Sequence, residues 1–147
     1  MPLDRSGLEI LDADQCRALL ASAPVGRIVF TDRALPAVQP VNFALVDDEV
    51  VIRTSNGSKL AAAVRGAVVA FEADDFDAAT RTGWSVVVVG HARVVTDPGE
   101  LEELRRLPLT PWAPGEREKF VRIRPQMYSG RRIPVPSPDS ADQAASR

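Results

Sequence analysis

Apolar residues keep helical spacing only briefly in this chain. Cys16, Leu19, Leu20 and Ala23 fall on one face of a short amphipathic helix; Asp12 and Gln15 stand three apart at its start, and Pro24 stops it. Then the period changes to two. GRIVFTD (26–32), AVQPVNFALVDD (37–48) and EVVIRT (49–54) read as three strands, joined by polar turns at Asp32 to Ala34 and at Asp47-Asp48, so a meander is expected. A helix over Lys59 to Arg65 follows. AVVAFEAD (67–74) and WSVVVVGHARVV (84–95) are too β-branched for helices and predict strands four and five, separated by the polar stretch DFDAATRTG. Asp97 and Pro98 open a helix with Leu101 and Leu104 on one face, and KFVRIRP (119–125) supplies a sixth strand after a proline-rich crossing. PVPSPDSADQAASR has no apolar period and reads as a disordered tail.

Six strands with only short helices exclude a doubly wound parallel sheet, which needs a long helix between nearly every strand pair. The expected fold is mainly β: a six-stranded antiparallel barrel of Greek-key type with short flanking helices. Residues 1–133 form the domain and 134–147 the tail. In strand five, Val86, Val88 and Gly90 point one way and Val87 and Val89 the other, so both faces are apolar. One face is expected to lie in the barrel and the other against a second copy of the chain.

Composition narrows the function. The chain has 147 residues, 45% of them hydrophobic, which suits one domain with a proper core. Eighteen basic against twenty acidic side chains argue against a broad cationic face for nucleic acid. No apolar run approaches the roughly 20 residues of a membrane span. The single Cys16 cannot form an internal disulfide, and MPLDRSGLEI lacks the basic start and apolar core of an export signal, so the cytoplasm is the expected compartment.

The stretch RTSNGSKLAAAVRG concentrates hydrogen-bond donors where a strand turns into a helix. Asn56-Gly57 marks a turn, Ser58 is a natural N-cap, and Lys59 opens the helix. The hydroxyls of Thr54, Ser55 and Ser58, the first-turn amides and the Lys59 ammonium suit a phosphate. Equally, Ser58 can serve only as a cap. The spacing is not that of a nucleotide-triphosphate loop, since no hydroxyl follows the lysine, so kinase or ATPase activity is unsupported.

Three segments, QPVNFAL, VVIRTSNGSKLAAAV and GWSVVVVGHARVVTD, together with the order of elements from about Leu11 to Ile133, resemble the pyridoxamine 5'-phosphate oxidase-like family of flavin-binding split β-barrels. The resemblance implies FMN as cofactor. It places the FMN phosphate on Arg53, Thr54, Ser55, Ser58 and Lys59, the isoalloxazine against Val41, Asn42 and Phe43, and Trp84 and Ser85 opposite them. It also implies a homodimer with the site at the subunit interface and a small-molecule substrate. Two departures bear on the activity. The corner carries fewer cations than in the vitamin-processing oxidases, and their C-terminal substrate-binding arginine and histidine set is absent, so the chain looks more like the smaller bacterial branch, which uses FMN, a deazaflavin or haem. An FMN-dependent oxidoreductase is therefore the leading expectation. The alternatives are a deazaflavin-dependent reductase and a non-catalytic module that binds flavin or haem.

Other residues have plainer readings. His91, the sole histidine, is a haem or metal ligand only if further ligands gather around it, and Cys16 reads as a small buried hydrophobe. Trp112, between prolines in LPLTPWAPGE, reads as part of a lid or partner contact, or as a pin for its own loop. Glu72, Asp74, Asp75 and Asp77 lack calcium-loop spacing and read as a solvated loop.

Overall fold

The computed structural model describes residues 2–55, 58–115 and 118–135. The Asn56-Gly57 turn and the tail beyond residue 135 lie outside the described residues. The order is β1 (Glu9–Leu11), α1 (Ala13–Ser22), β2 (Val25–Asp32), β3 (Leu35–Val46), β4 (Glu49–Thr54), α2 (Lys59–Ala63), β5 (Val68–Asp77), β6 (Thr82–Val94), α3 (Pro98–Arg105) and β7 (Lys119–Ile133). The strands run β1-β7-β4-β3-β2-β5-β6, and a further β6–β7 pairing closes six of them into an antiparallel barrel. The meander β2-β3-β4 is present, and the chain then crosses through α2 to lay β5 beside β2.

Local signals set several boundaries. Asp12 and Gln15 form the reciprocal cap of α1, with Gln15 N–H on Asp12 Oδ1 at 2.8 Å and Asp12 N–H on Gln15 Oε1 at 2.9 Å. Asp97 caps α3, accepting from Glu100 N–H at 2.9 Å, with Pro98 at its start. Both two-residue turns of the meander take the left-handed pair that matches strand twist, Arg33-Ala34 (φ 51°, 65°) and Asp47-Asp48 (φ 50°, 64°).

Elsewhere the structure departs from expectation. β1 is a seventh strand, too short to carry a period of its own, held by register with Gly130 to Arg132 of β7. The last strand continues through Pro125 to Ile133, because the register against β6 shifts between Val89 and Gly90, and the proline, which has no N–H, sits opposite that bulge. There a Cβ on Gly90 would land inside the Arg124 carbonyl, so only glycine fits. Helix α2 is five residues, shorter than Lys59 to Arg65, and Gly66 turns left-handed (φ 66°) just beyond it. The acidic stretch is strand as far as Asp77 rather than loop.

The barrel is filled by Ile28, Phe43, Val50, Ile52, Phe71, Val86, Val88 and Ile123, with Leu20 and Cys16 of α1 and Leu60 and Val64 around α2 sealing it. Phe43 and Phe71 meet edge to face, 4.7 Å between ring centres. A smaller cluster, Val51, Val95, Leu104, Leu109 and Phe120, seats α3 on the outside. Arg122 clamps that layer: it reaches Glu49 at 2.7 Å and Glu100 at 3.1 Å, while Arg93 holds Glu100 at 2.6 Å. The Arg93 hydrogen bond keeps the Glu100 carboxyl below its usual range.

Candidate functional site

Strands β3 and β4 bring the first group of expected residues together. Val41, Asn42 and Arg53 line one small cleft with Gln39, Pro111 and Ala113. Its floor is strand and its far wall is the proline-rich loop. Arg53 is half-buried, its guanidinium 5.4 Å from the ring centre of Phe120. Next along β4, Thr54 is 1% exposed, and its hydroxyl is buried with no hydrogen-bond partner among the described residues. Such a group costs about 1–3 kcal/mol if nothing satisfies it, so its presence at this corner is informative. Ser55 and Ser58 are tied by Ser58 N–H donating to the Ser55 carbonyl at 3.2 Å. Ser58 Oγ accepts from Ala61 N–H at 3.2 Å, so the capping role is real, yet its own hydroxyl proton is uncommitted to that bond. Lys59 is exposed. With α2 only five residues long, the corner's attraction for an anion rests on these side chains more than on a helix dipole.

Asn42 turns out to organise the loop. Its Nδ2 donates to the Pro24 carbonyl at 3.1 Å, and its Oδ1 accepts from Trp112 N–H at 2.7 Å. The segment Pro111 to Ala113 is thereby pinned against β3. Phe43 belongs to the barrel interior, 7% exposed and packed on Phe71, so it backs the cleft rather than facing it.

Trp84 does not join that cleft. It lines a neighbouring one of about 360 Å³ with Pro24, Val25, Arg27, Asp74, Asp75 and Trp112. Ser85 lies half-buried in register with Asp74 and Arg131, and lines neither cleft. Residues 111–113 thus wall two clefts at once. A third and larger one, about 580 Å³, opens at the end of the barrel between Arg65, Gly66, Val94, Val95, Leu101 and Lys119. Lys119 is the register partner of Thr54, which puts this hollow beside the polar corner.

Some of this had no local signal. Arg27 on β2 reaches Glu72 at 3.3 Å and Asp74 at 3.2 Å, across 45 and 47 residues. Burial and the neighbouring Asp74 push the Glu72 carboxyl up to about 7, against the pull of Arg27. Cys16 is fully buried, and desolvation raises its thiol, in line with a packing role. His91 is exposed, its Nδ1 2.8 Å from Gln126 Nε2. No group of metal-binding side chains occurs among the described residues. Nor is any of their helices long and apolar enough to cross a membrane.

A closed antiparallel barrel with a polar strand-to-helix corner beside β3 is the split-barrel architecture. Residues 12–132 match the pyridoxamine 5'-phosphate oxidase family, and the chain belongs to it. It is 48% identical to Rv0080 of Mycobacterium tuberculosis over 84% of both chains. Among solved structures it resembles the FAD binding protein of Mycobacterium smegmatis, at 41% identity and a TM-score of 0.71, over 84% of this chain and 96% of that one. It also resembles a Corynebacterium glutamicum protein provisionally described as a pyridoxamine 5'-phosphate oxidase, at 32% identity and a TM-score of 0.74, over 85% and 92%.

Proposed function

We propose that the protein binds a flavin and acts as a flavin-dependent oxidoreductase on a small molecule. The observation that carries the reading is the orphaned, buried Thr54 hydroxyl, which stands in sequence between Arg53, a lining residue of the cleft with Val41 and Asn42, and the Ser58-Lys59 corner. The chemistry of the set fits a phosphate: two cations, Arg53 and Lys59, and the hydroxyls of the residues between them in the chain. In this reading Arg53, Thr54, Ser55, Ser58 and Lys59 hold the phosphate of FMN, while Val41 and Asn42 support the ring, with Phe43 behind them. Trp84 and Ser85 lie outside that cleft within one chain, so any contact of theirs with the flavin is made across a dimer. A bound flavin supplies hydride and electron transfer in its own ring, which leaves the protein to bind, orient and exclude water.

A homodimer has a physical motive on the outer face. Register aligns Val38, Val29, Ala70, Val89 and Met127 in one row across β3, β2, β5, β6 and β7. Val38 is 64% and Met127 61% exposed at its two ends. A continuous apolar row in water is costly, and a second copy of the same sheet covers it.

FAD is favoured as a second reading by the hollow beside Lys119, which offers room and the cations of Arg65 and Lys119 to a longer tail, and by the FAD-binding relative. Titrating FMN, FAD and a deazaflavin in parallel separates the cofactors. Purified protein that is colourless and whose melting temperature is unmoved by excess of each would refute the flavin reading. Reduction of the bound flavin by NADH or NADPH, followed by reoxidation by an acceptor above the oxygen background, distinguishes an enzyme from a flavin or haem carrier. A solvent-exposed His91 offers haem little beyond a single axial ligand.

A further inference from the structure

The cleft between Trp84 and Trp112 is a separate site from the one that holds Arg53. Trp112 is 72% exposed, yet its backbone is fixed by the Asn42 amide, which also grips the Pro24 carbonyl. A large indole left in water on a backbone that is fixed in place is costly for the free protein and useful to a ligand with an aromatic face. Opposite it, Trp84 is half-buried and packed on the barrel core, so the cleft has one rigid and one open indole. The two line a space of about 360 Å³, in the size range of small-molecule sites. A second hollow of about 540 Å³, bordered by Phe76, Asp77 and Thr82, shares Asp75 and Trp84 with it and extends the trough.

Charge selects the ligand. Arg27, the only cation of the cleft among the described residues, is already clasped by Glu72 and Asp74. Asp74 and Asp75 line the cleft directly, and Asp77 follows in the adjoining hollow. The surplus is negative, and aromatic faces add their own attraction for positive charge. A phosphate or carboxylate is repelled here, whereas a planar ring system carrying a positive charge or ring N–H donors is satisfied by both walls and floor.

We propose that the Trp84–Trp112 cleft binds a planar cationic or N–H-donating heteroaromatic, the class from which the redox substrate is drawn. The substrate role rests on the flavin reading; the binding itself does not. The arrangement also separates tasks: the anionic tail goes to Arg53 and Lys59, and the cationic or neutral reactant to the acidic, aromatic trough.

The test is calorimetric titration of the full chain with proflavine, a planar tricyclic cation, and with anthracene-9-carboxylate, an anion of the same size, both with saturating FMN present. Proflavine is expected to bind one per chain and the carboxylate at least about tenfold more weakly. Trp112→Ala and Asp74→Asn should each weaken proflavine about tenfold, and Trp112→Phe should restore most of the Trp112 loss. FMN affinity, titrated alone, should be the same in the Asp74→Asn variant as in the wild type. Equal binding of both ions, no proflavine binding, or an unchanged proflavine affinity in both Trp112→Ala and Asp74→Asn overturns the proposal. A wild type that binds proflavine in this pattern but never FMN leaves the cleft standing and removes the flavin reading.

Discussion

Replacing Thr54 with valine should change stability and cofactor affinity in opposite senses. Valine keeps the β-branch and nearly the volume of threonine, so the strand and its packing are preserved at a residue only 1% exposed. What disappears is a buried hydroxyl without a partner among the described residues. Leaving such a group unsatisfied costs about 1–3 kcal/mol, so cofactor-free Thr54→Val should be more stable than wild type by about that amount. For a domain of this size that is a rise of roughly 3 °C or more in melting temperature. If the hydroxyl donates to the FMN phosphate as proposed, that bond is worth about 1.5–3 kcal/mol, so FMN should bind the variant about 10- to 100-fold more weakly. Stripped protein and variant would be compared by urea denaturation, and FMN binding by quenching of flavin fluorescence. A variant that is less stable by 1 kcal/mol or more, or that binds FMN as well as wild type, refutes the reasoning, because the hydroxyl would then be serving the fold.

Met127→Asp puts a charge at the end of the apolar row and should convert a dimer into monomer, as read by light scattering during size-exclusion chromatography; a dimer that persists would place the interface elsewhere. Burial and the neighbouring Asp74 push the Glu72 carboxyl up to about 7, above the usual carboxylate range, so the folded state holds the extra proton and stability falls as pH rises from that range through about 7. Glu72→Gln should flatten this fall, so the difference in denaturation midpoint between pH 5 and pH 8 should shrink relative to wild type; an unchanged difference would show that Glu72 does not carry it. Phe71→Ala removes a fully buried ring and its contact with Phe43, and should cost about 3–5 kcal/mol by chemical denaturation, a loss below 2 indicating that the core repacks.

The parts of the molecule that could be read from sequence are those governed by neighbours along the chain. Asp12 with Gln15 and Asp97 with Pro98 announce helices because a cap and its target amide lie three residues apart. Alternation over 26–32 announces a strand because one face of it is buried, and the β-branched run over 84–95 announces another. β1 was not legible: three residues carry no period, and only pairing with residues 130–132 makes them a strand. Pro125 hid the second half of β7, since the bulge that accommodates it is a property of the β6–β7 pair. The corner at Arg53 to Lys59 stood out as a cluster of polar types, although the orphaned state of Thr54 is visible only once its surroundings are folded. Asn42 and Trp112 are seventy residues apart, and nothing near either one foretells that they meet. The Arg27 clasp was hidden for the same reason, and with it the acidic character of the second cleft.

The most direct measurement compares FMN with riboflavin, which differ only in the phosphate, by equilibrium titration of the stripped protein. Gripping that phosphate with at least two charge-assisted contacts among Arg53, Thr54, Ser58 and Lys59 should make FMN bind about 100-fold or more tightly than riboflavin. Equal affinities would contradict the account, since the corner would then contribute nothing to holding the cofactor.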